Sequence, residues 1–410
     1  MNFIDFTTPE FYENPYPLYE KLRAEGEFVR LTPKLWMTGR YETAEAVLRD
    51  RRLGRWHEEY VRLRYGDDQK DSPVFQLFYQ MVLMLNPPRH TRVRTLQMRA
   101  FNASHTDAFI KLANEIANNL IDQFIDQGKA DLVSDYGLRL PIMVICRLLG
   151  LDEMDTGPFA EAMWELTVPF SRAFEASGMS NLEIREANAS ALKLREFFGN
   201  ELDKRRQQPR DDLITRFLQL KEGGEGMTDD EIVANIVFLF VAGHETTANM
   251  IGNALVALHR HPTELDKVRQ DPDLLTKSMI ECLRFDGSVQ MAFRDVLEDV
   301  ELGGFQFRRG DSIFICSGST NRDPDQFANP DQFRIERPDV DMRQLQNFGG
   351  GLHYCLGARL SLIELEAAVG TLLQRLPDLR ITNLDQLVWH RSNTLRGVES
   401  LQATWPVQGR

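Results

Sequence analysis

The chain has 410 residues, and its 48 Lys and Arg against 61 Asp and Glu give a formal net charge of −13. This acidity counts against nucleic-acid binding as the main activity. With 42% hydrophobic residues, the chain can fill a large core, either in two or three domains or in one large unit built around a cofactor.

Cysteine usage and the apolar runs indicate the compartment. The four cysteines include no Cys-x-x-Cys pair, so the sequence has neither the usual zinc or dithiol spacing nor a disulfide framework. The N-terminus has no secretion signal, and the longest apolar run, 236–242, is far shorter than the ~20 residues that cross a bilayer. We predict a cytoplasmic protein without a membrane anchor, in which Cys146 and Cys316 are buried.

The first 80 residues mix helical and extended patterns. Residues 9–26 pass from a Pro/Asn turn into a short helix, 28–38 favour a hairpin, and 41–50 return to helical spacing. Residues 51–80 are charged and aromatic without a stable period, which predicts a long loop or a loop that holds a short helix.

Two basic side chains stand near the start of the next helix. It follows two prolines, and His90 and Arg94 are four residues apart on one of its faces. Two basic groups on one face suit an anionic ligand; a solvated basic face is the alternative. Helical periodicity then dominates from about 105 to 225, with a candidate short strand at 131–133. No repeat or linker separates independent domains.

Residues 228–260 predict a long helix with an unusual centre. A capping box begins at Thr228, and His261-Pro262 must end the helix. About 32 residues at ~1.5 Å per residue make it ~48 Å long, enough to cross the whole molecule. The flanks are apolar, but residues 242–247 contain a glycine, a carboxylate and two threonines. Such residues are costly in a buried helix and indicate a functional position; an incidental kink beside a solvated Glu245 is the alternative.

The C-terminal third continues with a helix, strands and a glycine-rich loop. Glu281 and Arg284 can pair on one helix face, although most pairs of this kind lie on the surface. Strand patterns follow at 294–296, 300–305 and 312–316.

Three consecutive glycines then precede Cys355, directly before a helical pattern that runs from 356 to about 373. Glycines let the backbone approach a flat, bulky ligand, and a thiolate near a helix N-terminus is stabilised. The alternative is a glycine-rich turn with a buried, inert cysteine.

Together these segments resemble the cytochrome P450 superfamily over nearly the whole chain. The motifs that carry the resemblance are a haem-ligand loop, an oxygen-activating helix, an ion pair and two patterns of soluble bacterial members. They read, in that order, Phe348-x-x-Gly351-x-His353-x-Cys355-x-Gly357, Ala242-Gly243-x-Glu245-Thr246-Thr247, Glu281-x-x-Arg284, Pro87-Pro88-x-His90-Thr91-Arg92-x-Arg94 and Asn321-Arg322-Asp323-Pro324.

The resemblance implies a mainly α fold with small β-sheets (α+β), shaped like a triangular prism, with the long helix crossing a haem. Residues 1–410 would form a single domain, β-richer at about 1–60 and 290–320, with a helical core at about 90–285 and 355–375. We also expect a monomer.

The resemblance also implies a role for each motif residue. Cys355 would be the axial thiolate ligand of haem b, a ligand that favours O–O cleavage. Residues that would contact the haem or neutralise its propionates are His90, Arg94, Arg294, Phe348, His353, Gly357, Ala242 and Gly243. Gly243 would open a notch for dioxygen, and Glu245 and Thr246 would relay protons. Glu281, Arg284 and Arg337 would brace the core behind the loop.

The implied activity is insertion of one oxygen atom from O₂ into an apolar organic molecule by hydroxylation or epoxidation. No nicotinamide or flavin motif occurs in the chain, so electrons from NAD(P)H would arrive through a ferredoxin reductase and a ferredoxin. The alternatives are a peroxide-driven peroxygenase or decarboxylase and a non-catalytic haem-binding sensor or carrier-recruiting protein. Retention of Glu245-Thr246 argues against both.

The substrate stays open among polyketide, terpenoid, steroid and fatty-acyl compounds, free or bound to an acyl or peptidyl carrier protein. The implied pocket draws on the 55–85 loop, the 160–185 helices, and Phe238, Val241, Val289, Gln290, Met291, Thr394 and Leu395. Two departures from bacterial relatives affect this region and the partner surface. Gly287-Ser288 stands where Pro is common, and a basic residue after the cysteine is moved to Arg359.

Overall fold

The structure is a computed structural model that describes residues 1–55, 57–102, 106–151, 162–163, 165–167, 169–170, 178–338 and 340–407. Its α-helices include α1 Pro9–Glu13, α2 Tyr16–Glu25, α3 Tyr41–Arg49, α4 His57–Tyr65, α5 Pro73–Phe78, α6 Arg89–Asn102, α7 Thr106–Asp122, α8 Arg139–Leu148, α9 Asn181–Gln207, α10 Leu213–Gln219, α11 Asp229–Arg260, α12 Pro262–Gln270, α13 Leu275–Asp286, α14 Ser317–Thr320 and α15 Ala358–Arg375. The strands are short: β1 Val29–Thr32, β2 Leu35–Thr38, β3 Leu53–Gly54, β4 Lys129–Asp131, β5 Met291–Val296, β6 Val300–Leu302, β7 Phe305–Phe307, β8 Ser312–Cys316, β9 Arg380–Ile381 and β10 Gln402–Thr404.

The chain forms two compact units. The first comprises residues 1–54, 109–141 and 245–410. It contains a five-stranded sheet in the order β1-β2-β8-β5-β3, in which β2 and β8 are parallel and the other pairs antiparallel. A second sheet has the order β4-β10-β9. The predicted hairpin at 28–38 is thus confirmed, and β8 extends it from a distant part of the sequence.

Alternation of buried and exposed side chains explains why this hairpin forms. Along β1 the side chains are alternately buried and exposed, the period expected of a strand with one face on a core. Met37 and Phe314 lie in the same apolar cluster as Tyr19 and Leu22 of α2. Helix α2 ends at Gly26, whose φ of 148° favours glycine, as the sequence predicts.

The second unit comprises residues 55–108 and 142–244, and its described residues are mainly helical. Its core holds many aromatic rings, among them Phe75 and Phe78 of α5. The prediction of a long loop at 51–80, holding at most one short helix, was incomplete. Two helices form there, because burial of Val61 on α4 and of the α5 rings stabilises segments that lack a clear local period.

Helix α11 has the predicted length. Its capping box is complete: Thr228 N–H donates to Glu231 Oε2 over 3.0 Å, and Glu231 N–H donates to Thr228 Oγ1 over 3.2 Å. The 32-residue helix is continuous through 242–247, and α12 begins at Pro262. The loss of helix propensity at Gly243 therefore does not interrupt the helix.

Other expectations differ in detail. The strand expected at 131–133 lies at Lys129–Asp131, and a π-helix occupies Leu132–Gly137. Cys146, Cys282 and Cys316 are buried and Cys355 is exposed, so the burial predicted for Cys146 and Cys316 is confirmed. The mainly α fold with small sheets is confirmed, whereas the single-domain organisation stays a prediction. Within the described residues, every helix is too short or too polar to span a bilayer.

Candidate functional site

The loop before α15 is held in a closed shape by its glycines. Gly349 and Gly351 have φ angles of 69° and 60°, in the region that side chains other than glycine rarely adopt. These turns bring the chain back on itself, so that Cys355 N–H donates to Phe348 O over 2.8 Å. The thiol of Cys355 is thereby placed at a fixed point three residues before Ala358, the first residue of α15.

The loop rests against the end of α3. A Cβ at Gly351 would lie 2.2 Å from Leu48 O, and one at Gly350 would lie 3.1 Å from Leu48 Cβ. Only backbone without side chains fits this approach, which is a second reason for the consecutive glycines. Arg294 of β5 donates to Gly350 O over 3.2 Å, so the structure brings this predicted haem-binding residue to the loop.

Cys355 differs from the other cysteines in the chemistry that it can perform. It is exposed, whereas burial raises the pKa of the Cys282 and Cys316 thiols and keeps them protonated. The free N–H groups at the start of α15 stabilise negative charge nearby. A Cβ at Gly357, between Cys355 and the helix, would meet open space.

A buried ion cluster lies behind the loop. Arg284 donates from Nε and Nη2 to both oxygens of Glu281, over 2.7 and 2.8 Å, and Arg337 approaches the same carboxylate to 3.3 Å. The exposed fractions of the Glu281, Arg284 and Arg337 side chains are 2%, 0% and 6%. Burial excludes the alternative that Glu281 and Arg284 form an ordinary surface pair.

Two side-chain amides, those of Asn321 and Asn347, connect this cluster to the loop. Arg284 donates to the carbonyl of Asn321 over 2.9 Å, and the Asn321 side chain accepts from Gln346 N–H over 3.0 Å. The same side chain donates to Asn347 Oδ1 over 3.0 Å, and Asn347 donates to Leu283 O over 2.7 Å. The match of Asn321-Arg322-Asp323-Pro324 to a family pattern was the signal for this role. No sequence pattern indicated a role for Asn347, which lies just before Phe348.

The centre of α11 has a partly exposed stripe on an otherwise buried helix. Most residues from 231 to 258 are buried, whereas Phe238, Leu239, Ala242, Gly243, Glu245 and Thr246 are half-buried. Their spacing of three and four residues places them on one face. The predicted catalytic pair, Glu245 and Thr246, therefore shares its face with the predicted pocket residue Phe238, and the neighbouring Val241 is buried.

Gly243 has a packing role that the sequence did not reveal. A Cβ at this position would lie 2.7 Å from Ile145 Cδ1 of α8. The glycine thus lets α8 pack closely against α11. A notch for dioxygen at this residue stays a prediction.

A buried carboxyl group lies one hydrogen bond from the residue that follows the predicted catalytic pair. Thr247 follows Thr246, and its hydroxyl lies 3.3 Å from Ser361 Oγ of α15. Burial raises the pKa of Glu364 well above its ordinary value, and a hydrogen bond with Thr247 offsets this only in part. Glu364 was missed because a single glutamate in a helical pattern carries no signal of its burial.

The predicted basic face of α6 lies in the second unit. His90 is buried, with 2% of its surface exposed, and Arg94 is half-buried. The flanking arginines bind a carboxylate instead: Arg89 Nε and Arg92 Nη2 donate to Glu231 Oε1 over 2.9 and 2.7 Å. Because His90 is buried, the alternative of a fully solvated basic face does not apply to it.

The predicted pocket residues of the first unit lie together. Val289 and Leu395 form an isolated bridge, and Gln290 N–H donates to Thr394 O over 2.8 Å. Val289, Thr394 and Leu395 are half-buried, whereas Gln290 and Met291 are buried. The Gln290 side chain is bound internally by Tyr19 Oη over 2.8 Å. Residues 160, 161, 164, 168 and 171–177 of the expected 160–185 segment lie outside the described residues.

These side chains fit a haem with a thiolate ligand. The loop presents one exposed thiol beside backbone that no side chain covers at Gly357. Arg294, fixed to the loop at Gly350, is the kind of donor that binds a carboxylate in two-pronged geometry. A soft thiolate is the ligand that haem iron takes in oxygen-activating enzymes.

Comparisons with known proteins agree with this chemistry. The family model described as "Cytochrome P450" matches residues 57–377. A putative cytochrome P450 133B2 of Xylella fastidiosa (strain 9a5c) is 43% identical over 403 residues, covering 98% of this chain and 99% of the relative.

Two solved structures are similar over the full length. One is P450BioI in complex with an acyl carrier protein ligated to hexadec-9Z-enoic acid, with a TM-score of 0.86, 31% identity, and coverage of 97% of this chain and 100% of the other. The second is a myxobacterial cytochrome P450 in complex with myristic acid, with a TM-score of 0.87, 31% identity, and coverage of 98% and 99%.

Proposed function

The chain belongs to the cytochrome P450 family of monooxygenases, and we propose that it inserts one oxygen atom from O₂ into an apolar organic substrate by hydroxylation or epoxidation. The observation that carries the proposal is the exposed thiol of Cys355 in a glycine loop that rests on α3. Haem bound through this thiolate supplies the activation of dioxygen.

Each remaining motif residue has a part in this proposal. Arg294, His353, His90 and Arg94 bind the carboxylates of the haem, since charge-assisted hydrogen bonds to carboxylates are strong. The Thr246 hydroxyl holds a proton close to the reacting oxygen, and the half-buried Glu245 carboxylate passes protons inward from water.

Electrons come from outside the chain. We propose that NAD(P)H reduces a ferredoxin reductase, which reduces a ferredoxin that docks on this protein. The sequence contains no motif for a nicotinamide or a flavin, and this supports separate redox partners.

A long-chain fatty-acyl compound is the first substrate class to test. The two solved relatives are complexes with myristic acid and with a hexadecenoyl carrier protein. The half-buried stripe of α11 begins with the apolar pair Phe238 and Leu239. An apolar lining with few polar groups suits an acyl chain. The carrier-bound form remains part of this proposal.

The first experiment is the spectrum of the reduced protein with carbon monoxide. We expect the red-shifted Soret band of thiolate ligation, and Cys355→Ser is expected to lose it. A histidine-type band in fresh, folded wild-type protein would contradict the assignment of Cys355. Titration with myristic acid, a hexadecenoyl carrier protein and a steroid then compares substrate classes through the spin-state shift, and a response to the steroid alone would contradict the fatty-acyl proposal.

The second experiment tests the proton path. In the presence of ferredoxin and its reductase, the Thr246→Ala variant is expected to consume NADPH but to form less product per electron pair than the wild type. The matched control is Thr247→Ala, one residue along α11. Unchanged coupling in Thr246→Ala would contradict the role of this hydroxyl, and efficient turnover with peroxide alone would contradict the O₂-dependent reaction.

A further inference from the structure

Asn235 occupies an unusual position near the start of α11. It is fully buried, with 0% of its surface exposed, although an asparagine is costly in an apolar core unless its amide is bonded. It lies one turn after Glu231, between Ala234 and Ile236, which belong to an apolar cluster of the second unit. A helix of this composition has no local reason to hold an amide there.

The Asn235 amide makes four hydrogen bonds to three segments. Its Oδ1 accepts from Val82 N–H over 2.8 Å and from Gln97 Nε2 over 2.8 Å. Its Nδ2 donates to Gln80 O over 2.9 Å and to Glu231 O over 2.7 Å. Two acceptor and two donor positions are all that a side-chain amide has, so this residue is saturated by the protein itself.

Glu231 repeats the connection one turn earlier. Its Oε1 accepts from Arg89 and Arg92 of α6, and its exposed fraction is 1%. Helix α6 is therefore attached to α11 at Arg89, Arg92 and Gln97, which span more than two turns. Attachment at both ends of this stretch fixes the rotation and the axial position of α6. A shift of the helix by one residue would rotate its side chains by about 100° and would break these bonds.

His90 and Arg94 lie between these attached positions. We infer that Asn235, supported by Glu231, is a positioning residue for the cofactor: it sets the orientation of α6 and thereby aims His90 and Arg94 at the haem carboxylates. The inference rests on the proposed role of those two side chains. Neither Asn235 nor Glu231 belongs to the motifs that point to haem, and both act through α6.

The test measures haem release from the holoenzyme to an excess of apomyoglobin. Asn235→Leu keeps the number and branching of the side-chain heavy atoms and removes all four bonds, and we expect haem release to accelerate at least about tenfold, as for other residues that orient a ligand. The matched control is Asn253→Leu. Asn253 is also fully buried on α11, but its amide donates to Asp286 O and Arg396 O over 3.1 and 3.0 Å, away from α6.

A second background separates positioning from general stability. In His90→Ala, the accelerating effect of Asn235→Leu is expected to shrink, because one of the groups that it orients is already absent. Hydrogen exchange of the α6 amides in the holoenzyme is expected to increase in Asn235→Leu and to stay unchanged in Asn253→Leu. If Asn235→Leu gives no folded protein, Gln97→Met removes a single bond and is expected to accelerate release about three- to tenfold.

Equal acceleration in the Asn235 and Asn253 variants, or full additivity with His90→Ala, would overturn the inference and leave Asn235 as an ordinary stabilising residue. For Gln97→Met, an unchanged release rate would do the same. A wild-type protein whose spectrum lacks thiolate ligation would instead overturn the proposed function, and this inference with it. The carbon monoxide spectrum, recorded before any release experiment, distinguishes the two failures.

Discussion

Each unit of this protein contains a buried glutamate that is bound by two arginines, and the two clusters differ in how far their arginines are exposed. In the first unit, Glu281 binds Arg284 and Arg337, and all three side chains are at most 6% exposed. In the second unit, Glu231 is 1% exposed, but its partners Arg89 and Arg92 are 40% and 22% exposed. We call the Glu281 cluster the dry cluster, because all three of its side chains are buried, and the Glu231 cluster the open cluster, because its arginines are partly exposed to water.

The two clusters are expected to respond differently when the carboxylate is removed, because their arginines have different surroundings. In the dry cluster, Arg284 is also bonded to the carbonyls of Asn321 and Pro330, so its charge cannot turn outward. In the open cluster, Arg89 and Arg92 can turn their guanidinium groups toward water. Buried charges that lose their partner are strongly destabilising, whereas exposed ones are not. Glu281 therefore stabilises the position of the cysteine loop, whereas Glu231 stabilises the position of helix α6.

The largest expected effect is that of Glu281→Ala. Removal of the carboxylate leaves Arg284 and Arg337 as two uncompensated buried cations, and we expect the free energy of unfolding to fall by about 3–5 kcal/mol. The protein should also fail to take up haem, which is measured as haem per chain in the soluble fraction. Glu281→Gln is the isosteric control. Full haem content in Glu281→Ala would contradict the bracing role.

The matched change in the open cluster is Glu231→Ala. It removes three hydrogen bonds to the carboxylate, from Arg89, Arg92 and Thr228 N–H. Because the arginines regain water, we expect a loss of only about 2 kcal/mol in the free energy of unfolding. Urea unfolding of both alanine variants at one pH compares the clusters directly. A cost equal to that of Glu281→Ala would show that the exposure of Arg89 and Arg92 does not matter.

Acid is expected to weaken the cluster at Glu231. Burial raises the pKa of Glu231, but the Thr228 N–H, Arg89 and Arg92 lower it more, so its pKa is below the ordinary value. Stability from a lowered carboxyl pKa is present above the ordinary value of about 4.3 and is lost as the pH falls through the folded pKa. The difference in unfolding free energy between wild type and Glu231→Gln should therefore shrink from pH 7 to pH 3.5. A constant difference would contradict the ion pair.

The smallest expected effect is at the buried carboxyl group of Glu364. Burial raises the pKa of Glu364, and only Thr247 offsets it. Stability is then fully present below the ordinary carboxyl pKa and is lost as the pH rises through the raised folded value. Glu364→Gln imitates the protonated form, so its unfolding free energy at pH 7 should lie within about 1 kcal/mol of wild type or above it. Glu364→Ala, which leaves a cavity, is the control, and a large loss in Glu364→Gln would indicate an ionised group.

Much of the chemistry could be predicted because it is written in short stretches. The Cys355 loop, the Thr228 capping box and the polar centre of α11 each depend on residues within ten positions of one another. Residues 51–80 could not be predicted in this way: α4 and α5 form there without a local period, because burial of Val61 stabilises α4 and burial of Phe75 and Phe78 stabilises α5. The predicted pocket residue Gln290 is a second example, because Tyr19 binds its side chain internally.

The sequence by itself determined the family, the glycine loop around Cys355, the bounds of α11 and the hairpin at 28–38, since φ preferences, caps and side-chain periods act between near neighbours. Only the tertiary structure decided which partners meet across the chain. Glu231 binds Arg89, 142 residues away, and Asn235 binds Val82, 153 residues away. Such contacts follow from the path of the folded chain, and a buried amide or carboxylate shows its purpose only once its neighbours are in place.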